Sequence, residues 1–258
     1  MSVRGGVAVI TGAGRGIGRA LALELARAGH PVALQARTPA DLEMTRAAIE
    51  SEGGRAIAVP GDVTQAAAAR ALLDRAEAEL GPVSVAVACA GQAHSAPFLK
   101  TRESDLLNLL QVNLVSAFHL LQAAGSRMVA QARSGRLVAV GSTASVKGAR
   151  YTSAYSASKH ALLGLVRSAA LELAPQRITV NLLCPGWVET AMFDQTLANI
   201  AAKTGRTPEE SRRAIETSIP SGVVLRPDEV AAALRYLVSD AAAQVTGQAL
   251  VIDGGTTL

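Results

Sequence analysis

Short, solidly apolar runs separated by longer helical stretches recur from one end of this chain to the other. Candidate strands are Val7–Ile10, Val32–Gln35, Ala56–Val59, Val83–Ala88, Gly135–Gly141, Ile178–Cys184 and Ala249–Ile252. Helical patterns lie between them, for example Gly16–Ala28, Asp41–Glu52, Gln65–Leu80, Glu103–Ala130 and Thr152–Ala174. Parallel strands need a long crossover, and an alternating pattern supplies a helix for each one. Helices on both sheet faces bury both sides of every strand, so the strands lack polar alternation. The pattern predicts an α/β fold: a doubly wound parallel sheet of about seven strands with helices on both faces. The 258 residues suffice for one such core. With no repeat, linker or composition break, residues 1–258 read as a single domain. One stretch, 190–226, is irregular, with polar helical pieces after a Cys-Pro-Gly turn.

Composition narrows the function classes. Aromatic residues make up only 3% of the chain, so small aliphatic side chains must fill the core. The net charge of +4 comes from scattered basic residues, without the basic tract and interleaved aromatics of a nucleic-acid binder. The pI of about 9.4 suits an anionic small molecule. Cys89 and Cys184 end apolar runs and read as buried thiols in a reducing, cytoplasmic setting. Val7–Ile10 is too short for a secretory signal and runs straight into a glycine loop. Leu106–Ser126 lacks formal charge but carries Asn108, Gln111, Asn113, His119 and Gln122, so it reads as a helix packed on protein rather than lipid. No membrane partner and no metal are expected.

The glycine loop follows the first strand and opens the first helix: Thr11-Gly12-Ala13-Gly14-Arg15-Gly16-Ile17-Gly18. Glycines let the backbone turn sharply and approach a pyrophosphate, while the helix N-terminus offers N–H groups and a positive dipole end. This makes the expected sheet a Rossmann-type dinucleotide fold. The second strand ends Gln35-Ala36-Arg37, with no carboxylate to take ribose hydroxyls. Arg37 and Arg15 are suited to a 2′-phosphate, which favours NADP(H) over NAD(H). Asp62-Val63 follows the third strand and is expected near the adenine, with Asp62 also able to cap the next helix. Ala90-Gly91 ends the fourth strand, where small residues let a nucleotide lie close.

Tyr155 and Lys159 are four apart in a helical pattern and share one helix face. Ser142 ends the fifth strand at the sheet edge where ligands of open α/β folds bind. A tyrosine near pKa 10 is a poor proton donor and acceptor near neutrality. A neighbouring Lys159 ammonium is expected to favour the phenolate and lower that value. Ser142 is expected to hydrogen-bond the substrate oxygen.

Together these residues resemble the classical short-chain dehydrogenase/reductase family over essentially the whole chain. The matching residues are the Thr11–Gly18 loop, Asp62-Val63, Ala90-Gly91, Asn113, Ser142, Tyr155 with Lys159, Pro185-Gly186 and Thr190. The resemblance implies that Asn113 bends its helix and holds a water in a proton relay through Lys159. It implies that Lys159 holds the nicotinamide ribose, and that Pro185 to Thr190, Val188 included, contacts the nicotinamide amide. It also implies a homotetramer, or a homodimer, built partly on the helices carrying Asn113 and Tyr155. The family's usual Asn-Asn-Ala-Gly is Ala88-Cys89-Ala90-Gly91 here. Cys89 has no His or Asp set beside it and is not read as a nucleophile.

The expected substrate pocket is walled by Gln92 and His94, by Ala144, Val146 and Tyr151, and by Trp187, Met192 and Phe193. These are mostly apolar and suit an uncharged ketone; His94 reads as pocket-lining or surface rather than as an extra acid or base. Lys203, Arg206, Arg212 and Arg213 in the irregular segment give a basic entrance, suited to a 3-oxoacyl thioester of CoA or an acyl carrier protein. Small cyclic or aryl ketones and alcohols are the alternative. A non-catalytic NADP(H)-binding regulator and sugar-nucleotide chemistry are weaker readings.

Overall fold

The computed structural model describes residues 3 and 5–258. Strands β1 (Val7–Thr11), β2 (Val32–Gln35), β3 (Ala56–Ala58), β4 (Val83–Ala88), β5 (Gly135–Val140), β6 (Ile178–Pro185) and β7 (Ala249–Ile252) form one sheet in the order β3-β2-β1-β4-β5-β6-β7. Every pairing is parallel. The order reverses between β1 and β4, so the crossovers diverge there and leave a crevice at the carboxyl ends of those strands.

Alternation within β1 explains the solid apolar runs. Val7 and Val9 join a core with Ala86, Leu120, Leu137 and Val166 on one face. Ala8 and Ile10 join a second core with Leu21, Leu25, Leu34 and Leu234 on the other. The first core is covered by α3 (Ala66–Glu79), α5 (Ser116–Ala130) and α6 (Ser153–Leu173); the second by α1 (Gly16–Arg27), α2 (Pro39–Ser51) and α9 (Pro227–Val238). Each aliphatic side chain fully buried there contributes roughly 1.5–3 kcal/mol, and among the described residues neither core contains an aromatic one.

Glu103–Ala130 is not one continuous α-helix. It runs as α4 (Glu103–Leu110), a π-turn over Gln111–Val115, and then α5. This segment is long and apolar enough to cross a membrane by length and composition. In the structure it is half-embedded: Leu109, Leu120, Leu121 and Met128 are buried, whereas Leu107 and Phe118 face outward. The segment expected to be irregular forms α7 (Ala191–Thr204) and α8 (Pro208–Ser218). These helices close over a small core of Phe193, Leu197, Ile215, Ile219 and Val224.

The turn from β1 into α1 shows why its glycines are needed. Gly12 has φ +71°, and a Cβ on it would lie 2.9 Å from the Ala90 backbone nitrogen. A Cβ on Gly18 would lie 2.0 Å from the Gly12 carbonyl oxygen. The turn is compact because its own helix folds back onto it. Gly18→Ala is expected to destabilise the protein by about 2–3 kcal/mol, the upper range for overpacking a rigid neighbour. Urea denaturation measures this, and a loss below about 0.5 kcal/mol would show that the turn can open without cost.

Candidate active site

The glycine loop, the end of β2 and the loop after β4 are tied into one cradle. Ala13 N–H donates to the Gln35 carbonyl (3.1 Å), which brings Arg15 and Arg37 onto adjoining exposed loops. Thr11 Oγ1 accepts from the backbone N–H groups of Cys89 (3.2 Å) and Ala90 (3.4 Å). That hydroxyl anchors the turn in which Ala88-Cys89 replaces two asparagines. Thr190 at the start of α7 approaches the same loop, since a Cβ on Gly16 would lie 3.3 Å from its methyl group. Any side chain at Gly12, Gly14 or Gly16 would crowd neighbouring elements, leaving a bare backbone floor at the N-terminus of α1. Such a floor fits a dinucleotide pyrophosphate. Ile17 in the loop and Val63 after β3 are half-buried, and Pro185 ends β6 at the same sheet edge, with Gly186 and Val188 after it.

Asp62 holds a turn, not a helix cap. Its Oδ1 accepts from Thr64 N–H (3.0 Å) and Thr64 Oγ1 (2.9 Å), while α3 begins later, at Ala66. Those two bonds, with the nearby Arg37 charge, hold its carboxyl below the usual range.

Asn113 lies in the π-turn, almost fully buried, and binds in three directions. Its Oδ1 accepts from Gln92 N–H (2.9 Å), and its Nδ2 donates to the Gln92 carbonyl (3.0 Å) and Ser158 Oγ (3.0 Å). Ser158 donates in turn to the Tyr155 carbonyl (2.7 Å). The kinked helix is therefore clamped both to the loop after β4 and to α6. Gly91 sits between Asn113 and Lys159: a Cβ there would lie 3.2 Å from Asn113 Oδ1 and 3.6 Å from Lys159 Nζ.

Ser142 follows β5 and accepts from Ala144 N–H (3.2 Å); its own N–H donates to Ser145 Oγ (3.3 Å). Lys159 Nζ donates to the Val140 carbonyl (2.9 Å) and lies 5.9 Å from the centre of the Tyr155 ring. Burial pushes the Lys159 ammonium down to about 8. Burial also raises the Tyr155 phenol above its ordinary value, opposed by the Ser142 hydroxyl, which favours the phenolate. The expected lowering by Lys159 is not met in this geometry. Val140 holds the ammonium, and desolvation of the phenol outweighs the neighbouring hydroxyl. Cys89 and Cys184 are free thiols, and burial pushes Cys89 up to about 12, which makes it a poor nucleophile.

The expected pocket residues divide. Tyr151 is exposed, with a left-handed backbone (φ +67°), and its carbonyl accepts from Ala96 N–H (2.8 Å), joining the loops after β4 and β5. Trp187 and Met192 are exposed at the same edge, and His94 stands 3.9 Å from Asp105 on the loop after β4. Ala144 is buried, and Phe193 is turned away from any pocket surface, 3% exposed within the α7–α8 core. Phe193 instead backs Trp187 at a ring separation of 6.0 Å and lies under the Arg212 guanidinium. Arg212 pairs with Glu189 and with Glu216 (2.8 Å) and is not a free entrance cation. Sequence reasoning placed Thr11 in the glycine loop without a task for its hydroxyl, and missed Ser145 and Ser158, which stand among other small residues and carry no distinguishing signal.

A family model described as enoyl-(acyl carrier protein) reductase matches residues 12–257. A short-chain dehydrogenase/reductase of Armillaria gallica is 36% identical, covering 98% of this chain and 96% of its own. The chain belongs to the short-chain dehydrogenase/reductase family. An L-2,3-butanediol dehydrogenase of Corynebacterium glutamicum is 36% identical, over 96% of this chain and 97% of the relative. A variant of the actinorhodin polyketide ketoreductase, solved with NADPH, superposes with a TM-score of 0.94 at 32% identity, covering 100% of this chain and 99% of the other. This short-chain dehydrogenase/reductase is an oxidoreductase acting on alcohol and ketone groups.

A lysine whose pKa is depressed in the folded state costs stability where the unfolded chain is protonated and the folded one resists it. That cost is full below about pH 8 and is relieved as pH rises from about 8 to the unfolded value of 10.5. Lys159→Met is expected to change stability in its favour by about 1–3 kcal/mol more at pH 7 than at pH 10.5. Chemical denaturation of both proteins across that range measures the difference; a pH-independent offset would show that Lys159 is not desolvated.

Proposed function

We propose that this enzyme interconverts a ketone and a secondary alcohol with NADP(H). The single observation that carries this reading is the convergence of Ser142, Tyr155 and Lys159 at the carboxyl sheet edge, beside the glycine cradle. Gly12, Gly14, Gly16, Ile17 and Gly18 would hold the pyrophosphate, with Asp62, Val63, Ala90 and Gly91 around the adenosine. Arg15 and Arg37 would take the 2′-phosphate as paired guanidinium groups. Pro185, Gly186, Val188 and Thr190 would frame the nicotinamide. When bound, the nicotinamide supplies the hydride for reduction and takes it back in oxidation.

The chain's own residues move the proton. Ser142 donates a hydrogen bond to the substrate oxygen, and Tyr155 delivers its phenolic proton to that oxygen during reduction. The raised phenol pKa keeps Tyr155 protonated, as a donor must be, and Lys159 offsets the charge that develops when the proton leaves. Asn113 fixes the loop and helix around them and stands at the Lys159 end of the proton path. Half-buried Tyr155 and buried Lys159 shield the transfer from bulk water.

The substrate read from the edge is a 3-oxoacyl thioester or a polyketide-like ketone. Tyr151, Trp187 and Met192 give an apolar wall, and Lys203, Arg206 and Arg213 leave positive charge on α7 and α8 for a phosphopantetheine carrier. The similarity to a polyketide ketoreductase supports this; the butanediol dehydrogenase supports the alternative of a small alcohol. The outward apolar residues Leu107, Phe118 and Leu171 support a homo-oligomer built on α4, α5 and α6. The free thiols support a cytoplasmic setting.

Tyr155→Phe is expected to lower kcat for ketone reduction by at least 10³-fold with NADPH affinity within threefold of wild type, read at 340 nm and by NADPH fluorescence. Retained turnover would remove Tyr155 from the proton path. Arg37→Ala is expected to weaken NADPH binding at least tenfold and leave NADH within twofold; equal losses for both would remove Arg37 from 2′-phosphate recognition.

A further inference from the structure

At the opposite edge of the sheet, where the strands begin, a cavity of about 300 Å³ opens between the starts of β5 and β6 and the segment before β7. Arg136 and Thr179 form part of its lining and are register partners on adjacent parallel strands, so both side chains leave the same face. They are 2% and 5% exposed. Among the described residues, Arg136 Nε and Thr179 Oγ1 are buried without a hydrogen-bond partner. The other guanidinium contacts are modest: Nη1 donates to the adjacent Gly135 carbonyl (3.1 Å) and Nη2 to the Ser239 carbonyl (3.5 Å). Asp240 attracts the group, yet burial outweighs it and Arg136 sits below its ordinary pKa. A guanidinium stays charged in a protein, and a buried charge needs compensation.

The remaining lining makes the cavity cationic. Arg177 stands exposed at the rim in a left-handed backbone (φ +58°), with Gln244 and Thr246 beside it. Among the described residues, the lining includes two guanidinium groups and no carboxylate. Arg136, Thr179 and Arg177 belong to two neighbouring strands and a loop, so a tetrahedral oxyanion among them would meet donors from different directions.

We propose that this cavity binds a phosphate group, free or as a phosphate ester, through Arg136, Arg177 and the Thr179 hydroxyl. The site is separate from the coenzyme cradle. Along α6 alone, from Tyr155 to Leu173, the two ends of the sheet lie about 27 Å apart. An oxyanion there offsets the buried Arg136 charge, and the Arg136 and Thr179 side chains turn toward it to pair their two orphaned donors, which are sealed from solvent in its absence. The occupant ties β5, β6 and the approach to β7 together from the strand-start side.

The test is hydrogen–deuterium exchange of the whole enzyme in inorganic phosphate, with sodium chloride at equal ionic strength as reference. Slower exchange in peptides covering 174–180 and 243–247 is expected, saturating with concentration. Any protection of residues 11–18 reports phosphate at the coenzyme cradle and is scored separately. Arg177→Asn tolerates the left-handed backbone and is expected to weaken the effect at 174–180 at least tenfold; Thr179→Val is expected to weaken it severalfold. Glycerol phosphate as a second titrant distinguishes ester from free phosphate. No protection of 174–180 with either titrant, or equal protection in Arg177→Asn, would overturn the proposal.

Discussion

A close approach of two strand ends sets the rest of the site. Gly12 lies against Ala90, and the Thr11 hydroxyl draws in the N–H groups of Cys89 and Ala90. That contact joins β1 and β4 at the point where the strand order reverses. With the two strand ends held together, the N-terminus of α1 and the loop after β4 become two walls of one crevice. Asn113 then grips the second wall through Gln92, and Ser158 passes the grip to the helix bearing Tyr155 and Lys159. A short series of hydrogen bonds thus runs from the first turn to the proposed proton donor.

The proposed chemistry sets stability against reactivity. Lys159 is almost completely buried, with a backbone carbonyl as its one hydrogen-bond partner among the described residues, and its ammonium is destabilised as a result. The same desolvation raises Tyr155. Fixing both groups in a dry site costs folding free energy but removes the reorganisation that water would demand during proton transfer. The aliphatic cores on the two sheet faces supply the compensation.

Much of this was legible in the sequence because burial on two faces leaves a direct mark. All seven strands appear where solid apolar runs stand, and Gly12, Gly16 and Gly18 take the tight positions their spacing implied. Ser142, Tyr155 and Lys159 meet at the sheet edge where their places in the topology put them, and Asn113, expected from the family resemblance, stands across Gly91 from Lys159. What stayed illegible depends on side-chain direction. Phe193 could line a pocket or fill the α7–α8 core, and one residue's rotation decides it. Arg212 reads as a free cation until Glu189, 23 residues earlier in the chain, is brought against it. Asp62 precedes a helix by sequence, but the turn closes on Thr64 before the helix begins. The Tyr155 pKa was misjudged because charge proximity can be read from spacing, whereas desolvation depends on everything packed around the group.

The π-turn at Gln111–Val115 has a consequence for how this helix can change. An α-helix advances about 100° per residue, so the extra residue in the wide turn rephases everything after it. Up to Leu110 the helix is aligned to one set of neighbours; from Ser116 onward it is aligned to the sheet. The two halves therefore set their buried stripes against different neighbours, α4 against α6 and α5 against the sheet. Removing one residue here would restore an unbroken helix and turn one stripe away from its partner, whereas a substitution would leave both stripes in place. Along this stretch the length of the chain, more than its composition, is the protected quantity.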